Sequence, residues 1–277
     1  MNHYIYEAEQ CQPIRRHDAY PLLEPFTVSI KKGEWITLVG HNGSGKSTLA
    51  RFIAGHQRTG MDLKGSEQRY GQGAFPMVTQ LTSQYLLGST PYEDLVICYE
   101  QYGEPMDRDR LEQYIDELLQ QLQLQHLKHV PLTQLSGGEK QLVAVAGALL
   151  MKANKLLVLD EVTSMLSERN KWQVCQLIRD LAAVKELSVI WITQQLDELK
   201  ASDTIWVMDK LELVARQRAC ELFGCNKEDG RSTASELGLP IPWSVYKSME
   251  LGLSSEQIQF NPYDLAKAVK HDAVSIR

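Results

Sequence analysis

The sequence predicts an α/β fold, with a mostly parallel sheet covered by helices on both faces. Two observations carry that expectation. Short apolar runs such as Leu156-Leu157-Val158-Leu159 and Ser188-Val189-Ile190-Trp191-Ile192 read as strands buried on both sides, and they alternate with stretches of helical periodicity. The segment Gly40-His41-Asn42-Gly43-Ser44-Gly45-Lys46-Ser47-Thr48 fits the pattern G-x-x-x-x-G-K-S/T at every fixed position. It lies between a buried strand, Trp35-Ile36-Thr37-Leu38-Val39, and the start of a helix, Thr48 to Ala54.

Each element follows in order. Residues 1 to 39 are strand-rich: Phe26, Val28 and Ile30 alternate with polar residues before the turn Lys31-Lys32-Gly33-Glu34. Residues 60 to 75, rich in Gly, Lys and Gln, read as a loop and hairpin region. Phe75 to Gln80 reads as a short strand ending in a glutamine. Between 91 and 130 the spacing of Leu111, Ile115, Leu118, Leu119 and Leu122 predicts helix, which Pro131 breaks. A further helix begins near Ser136. After the Leu156–Leu159 strand, Val174, Leu177, Ile178 and Leu181 mark another helix, and Thr204 to Met208 marks a strand beyond Ile192. The chain shows no internal repeat and no low-complexity segment.

With 277 residues, 43% of them hydrophobic, the chain is long enough for one large domain or a domain with a small appendage. A net charge of -6 argues against a general nucleic-acid binder. Cys11, Cys98, Cys175, Cys220 and Cys225 have no paired zinc spacing, so free thiols in a reducing compartment are expected. The N-terminus has no signal pattern. The longest apolar run, Leu142 to Met151, falls short of the ~20 residues that a membrane span needs. A cytoplasmic location follows, with any membrane role reached through partner subunits.

The glycine-rich loop implies a nucleoside triphosphate. Its backbone N–H groups can turn inward around phosphate oxygens, and the following helix adds its positive end. Lys46 would reach the β- and γ-phosphates, and the Ser47 hydroxyl would hold Mg²⁺.

Later motifs narrow the reading. Leu135-Ser136-Gly137-Gly138-Glu139-Lys140-Gln141 opens a helix, with Ser136 a good N-cap. With the phosphate loop upstream, it resembles the LSGGQ signature of ABC ATPases. Leu156 to Glu161 resembles the Walker B strand, and Val162 to Ser167 resembles the D-loop. The resemblance implies a P-loop NTPase of the ABC type with a β-rich N-terminal subdomain, and ATP and Mg²⁺ as cofactors. It implies that Asp160 helps hold Mg²⁺, that Glu161 polarises the attacking water, and that Gln80 senses metal and γ-phosphate as the Q-loop glutamine. Ser136, Gly137 and Gly138 would act on the ATP held by the Lys46 of a second ATPase subunit, either a copy of this chain or a related one.

Gln80-Leu81-Thr82-Ser83-Gln84, Gly88 to Asp94, Ser164-Met165-Leu166 and the tail (Glu221-Leu222-Phe223, Leu237 to Pro242, Leu251-Gly252-Leu253) look like the ATPase subunits of energy-coupling factor transporters. That resemblance implies an ABC domain over 1-218, with a helical subdomain at roughly 84-150, and a dimerisation extension over 219-277. It implies a transmembrane scaffold subunit, a membrane subunit that captures a vitamin or metal ion, and a peripheral place on the cytoplasmic side of the cell membrane. A non-transport ABC ATPase and a low-turnover member of an asymmetric pair are the alternatives.

The chain departs from the family pattern at several positions. Gln194 stands where the switch histidine is usual, Leu142 where the signature helix often has arginine, and Ser167 where the D-loop usually has aspartate. A glutamine amide donates a hydrogen bond but cannot become cationic, so hydrolysis is expected to be slowed. No N-terminal aromatic is obvious for stacking on adenine. Arg15, Tyr6 and Tyr20 are the candidates.

Overall fold

The computed structural model describes residues 3–56, 59–70, 73–79, 81, 84, 86–103, 105–151, 155–224 and 232–275. The chain divides into two compact units, Met1–Glu34 with Ser47–Ile192, and Trp35–Lys46 with Thr193–Arg277.

The first unit carries an antiparallel sheet of β1 (Tyr4–Arg15), β2 (Tyr20–Pro21), β3 (Phe26–Lys31) and β5 (Met61–Arg69), with β1 pairing all three others. Phe26, Val28 and Ile30 face inward as their alternation predicts. The region expected to be loop and hairpin contains β5 instead. That strand is mostly exposed, so it shows no apolar alternation, and its backbone pairing with β1 holds it. β1 bulges at Gln10, and Gly65 of β5 faces that bulge so closely that a Cβ there would meet the Gln10 carbonyl oxygen at 2.1 Å.

A parallel set follows in the same unit: β6 (Met77–Thr79), β7 (Leu156–Asp160) and β8 (Ser188–Ile192). Asp160 is in register with Thr79 on one side and Ile192 on the other. Every residue of β7 and β8 is buried, as sheet strands packed on both faces require. Helix α1 (Lys46–Ala54) ends at Gly55, where the Arg69 guanidinium donates to the Ile53 carbonyl.

The predicted helical stretch resolves into α2 (Pro91–Tyr102), capped by Thr90, and α3 (Arg108–Gln121), capped by Asp107. Leu111, Ile115, Leu118 and Leu119 form the buried face of α3. Lys128 staples the pair: its ammonium lies 2.7 Å from Asp116, 3.3 Å from Glu112 and 4.8 Å from the Tyr92 ring centroid. The Lys128 hydrogen bond holds the Asp116 carboxyl below its ordinary range. The remaining helices of this unit are α4 (Gly137–Leu150) and α5 (Glu168–Val184).

The second unit has β4 (Trp35–Val39) parallel to β9 (Thr204–Asp209), with β10 (Glu212–Arg218) returning antiparallel on β9. Its helices are α6 (Ala219–Phe223), α7 (Thr233–Glu236), α8 (Trp243–Glu250) and α9 (Pro262–Ser275). One apolar cluster joins strands and tail: Val39, Leu196 and Val207 pack with Phe223, Leu239 and Phe260. Helices α6, α7 and α8 therefore share a core with the strand that leads into the glycine-rich loop.

Among the described residues, no helix is long and apolar enough to cross a membrane, and no His, Cys, Asp and Glu cluster could hold a metal ion by itself. Cys11, Cys98, Cys175 and Cys220 form no disulfide among the described residues, and Cys225 lies outside them.

Candidate functional site

In the second unit, the loop after β4 turns by left-handed backbone at its glycines, with φ of +144° at Gly40, +77° at Gly43 and +102° at Gly45. Gly40 is obligatory, because a Cβ there would lie 2.1 Å from the Met208 carbonyl oxygen on β9. Lys46 is buried at 6% exposure, and its ammonium donates to the carbonyls of Gly40 and His41, both at 2.8 Å. The lysine is thereby held across the mouth of the loop it serves.

Ser44 gives the clearest sign of a ligand. It is 4% exposed, its N–H donates to His41, and its carbonyl accepts from Leu211. Its hydroxyl is buried with no hydrogen-bond partner. A buried orphan hydroxyl costs about 1–3 kcal/mol unless an acceptor or donor arrives. A phosphate oxygen in the cradle supplies one, so these residues fit a nucleotide phosphate. Leu211 reaches Ser44 from the β9–β10 hairpin, where Lys210 and Leu211 have φ of 44° and 69°. Two non-glycine left-handed residues make that turn costly, about 1–2 kcal/mol each, and it braces the phosphate loop.

Gln194 is exposed, just past β8. With Gly40, His41, Asn42 and Thr193, it lines a cavity of about 490 Å³ whose far wall is Leu239 and Pro240. The second unit thus brings together Gly40, His41, Asn42, Lys46 and Gln194. Sequence reasoning missed Leu239 and Pro240 as neighbours of this site.

In the first unit, Asp160 ends β7 and is 8% exposed. Glu161 follows with φ of 54°, its N–H bonded to the Ile192 carbonyl at 3.0 Å and its carbonyl accepting from the Ser164 N–H and hydroxyl at 3.1 and 2.8 Å. Left-handed backbone at a glutamate is strained, and these three bonds hold it. Ser47 and Thr48 open α1 and are half-buried. Gln80 lies outside the described residues, as do Thr82 and Ser83. The strand leading to Gln80 ends at Thr79, whose carbonyl accepts from Gln141 of α4 at 2.9 Å.

Ser136 caps α4 through a reciprocal box. Its N–H and hydroxyl both donate to Glu139 Oε2 at 2.7 Å, and the Glu139 N–H donates to Ser136 Oγ at 3.3 Å. The Ser136 hydroxyl, and then its N–H, hold the Glu139 carboxyl below its usual value. Gly138 lies under Leu166, where a Cβ would come within 2.3 Å of Leu166 Cδ2, and a Cβ on Gly137 would come within 3.2 Å of Met165 Sδ. The two glycines therefore serve close packing against residues 165 and 166 as well as exposing backbone N–H groups.

Of the three adenine-stacking candidates, Tyr6 is fully buried and has no face to offer. Arg15 and Tyr20 are opposite each other on β1 and β2, with the guanidinium 5.9 Å from the Tyr20 ring centroid, and Tyr20 is 55% exposed.

Residues 23–164 match the ABC transporter family. The energy-coupling factor transporter ATP-binding protein EcfA1 of Listeria monocytogenes is 32% identical over 88% of this chain and 85% of its own length. The EcfA1 of Lactococcus lactis is 33% identical over 80% of each chain. Among solved structures, cbiO1 of Clostridium perfringens, part of the ABC transporter complex cbiONQ, covers 80% of this chain and 91% of its own with a TM-score of 0.68 at 24% identity. The chain belongs to the ABC transporter family, among the ATP-binding proteins of energy-coupling factor transporters.

Proposed function

We propose that this chain is the ATP-binding and hydrolysing subunit that powers an energy-coupling factor importer of a vitamin or a metal ion. The observation that carries the reading is the Gly40–Thr48 cradle, with its buried, unpartnered Ser44 hydroxyl, in a chain of this family. Backbone N–H groups of the loop and the Lys46 ammonium bind the phosphates. Ser47 and Asp160 hold Mg²⁺, joined by Gln80; when bound, the ion neutralises phosphate charge. Glu161 accepts the proton of the attacking water, and three hydrogen bonds to its strained main chain fix the backbone from which the carboxylate projects. Gln194 donates its amide N–H toward the γ-phosphate.

Ser136, Gly137 and Gly138 act on the ATP of a second ATPase subunit, a copy of this chain or a related one, and nucleic acid has no part. Residues 219–277 help to hold that pair together. Exposed Trp243 and Tyr246 on α8 support the role, since large apolar side chains left in water favour an interface. The helical subdomain meets a transmembrane scaffold subunit, which a separate membrane subunit supplies with substrate. In such an assembly the chain sits peripherally on the cytoplasmic face of the membrane. A groove of about 950 Å³ between α2 and α3, lined by Tyr92, Val96, Ile97 and Met106 with Glu100 and Arg108 among them, suits an amphipathic helix of the scaffold.

Purification of the chain from membranes tests the reading. The expected result is a complex containing a second ATPase and a multispanning subunit, with Mg²⁺-dependent ATP turnover. Recovery of the chain alone, without turnover, would contradict it.

A further inference from the structure

The C-terminal segment reaches the nucleotide site as well as the surface. Leu239 and Pro240 wall the cavity into which Gly40, His41, Asn42 and Gln194 open. Gly238 approaches the loop itself: it has φ of +69°, and a Cβ placed on it would lie 3.9 Å from His41 Nε2. The turn is firmly built. The N–H groups of Leu237, Gly238 and Leu239 donate to the carbonyls of Thr233, Ser235 and Ala234 at 3.0, 3.1 and 2.9 Å. Leu239 is 6% exposed in the cluster that also holds Val39, the residue before Gly40, and Leu196, two residues after Gln194. One buried side chain thus belongs to the same core as the residues that flank both the phosphate loop and the Gln194 loop.

We infer that the Leu237–Pro240 turn is a positioning element of the ATP site, setting the Gln194 loop against His41 and the phosphate loop. The inference rests on the ATPase reading above. It matters more in this chain because position 194 is a glutamine. A neutral amide is a short-range, directional donor, so its worth depends on orientation in a way that a cation's does not. A shared core also works in both directions: nucleotide at the loop stiffens the turn, and docking of the tail segment stiffens Gln194.

Hydrogen exchange on the full chain, with and without MgATP, tests this directly. The expected result is slowed exchange at residues 40–46 and at 237–239 together. Slowing at 40–46 with no change at 237–239 overturns the inference and leaves the ATP site standing. No change at either removes the ATP reading, and the inference with it.

Kinetics of the membrane complex give a second test. Pro240 is exposed, so Pro240→Ala keeps the fold. It should lower kcat about threefold at unchanged KM, and by less than about 1.5-fold when Gln194 is already alanine. Leu239→Met, which conserves volume, should retain wild-type turnover where Leu239→Ala does not. Equal losses from Pro240→Ala in both Gln194 backgrounds, or no loss in either, would overturn the positioning role.

Discussion

On the proposed function the phosphate loop and the signature helix both meet phosphate, and their polar groups are satisfied in opposite ways. The loop after β4 has a buried ammonium spread across two carbonyls and a buried hydroxyl with no partner. The N-terminus of α4 carries an anion of its own, because the Glu139 carboxylate takes both the hydroxyl and the N–H of Ser136. The difference teaches that the two ends would take up phosphate differently: on the proposed function a nucleotide satisfies the Ser44 hydroxyl outright, whereas Ser136 exchanges its bond to Glu139 for one to another subunit's ATP.

Breaking the loop has the largest expected effect. Lys46→Ala removes the ammonium and should weaken MgATP binding at least about 100-fold by calorimetry, as loss of charge-assisted bonds worth about 3 kcal/mol requires. Gln194→His should speed hydrolysis by up to about tenfold in the assembled complex, since an imidazole adds a donor that can carry charge. An unchanged or slower rate would remove Gln194 as the limiting group.

On the signature side the effects are smaller. Ser136→Ala should cost about 1 kcal/mol in thermal unfolding through the lost cap, while leaving this chain's own MgATP affinity unchanged. Affinity falling along with stability would erase the contrast between the two regions. Smallest of all is the pH dependence of the cap. The folded Glu139 carboxyl is depressed below 4.5, so its stabilisation is present above that value and lost as pH falls through the lower, folded one. Glu139→Gln should flatten the acid limb of the unfolding curve, and a limb unchanged by the substitution would remove Glu139 from it.

Much of this was legible in the sequence, for physical reasons. The phosphate loop, β7, β8 and the buried face of α3 announce themselves because their side chains must be apolar or absent at fixed intervals. β5 was missed because an exposed strand held by backbone pairing leaves no apolar alternation. The Ser136–Glu139 box was readable as S-x-x-E before an apolar run, although the use of its carboxylate as a stand-in anion was not. Tyr6 illustrates the converse. Its type suits stacking, and only the three-dimensional structure shows it fully buried. The meeting of Leu239 with His41 and Gln194 joins three distant segments, and no local pattern encodes it.

ATP turnover by the membrane-derived complex carrying Glu161→Gln is the most direct test of the proposed function. MgATP should still bind, while Mg²⁺-dependent turnover at the Lys46 site falls by about 100-fold or more. Turnover at that site equal to wild type, with binding intact, would contradict it.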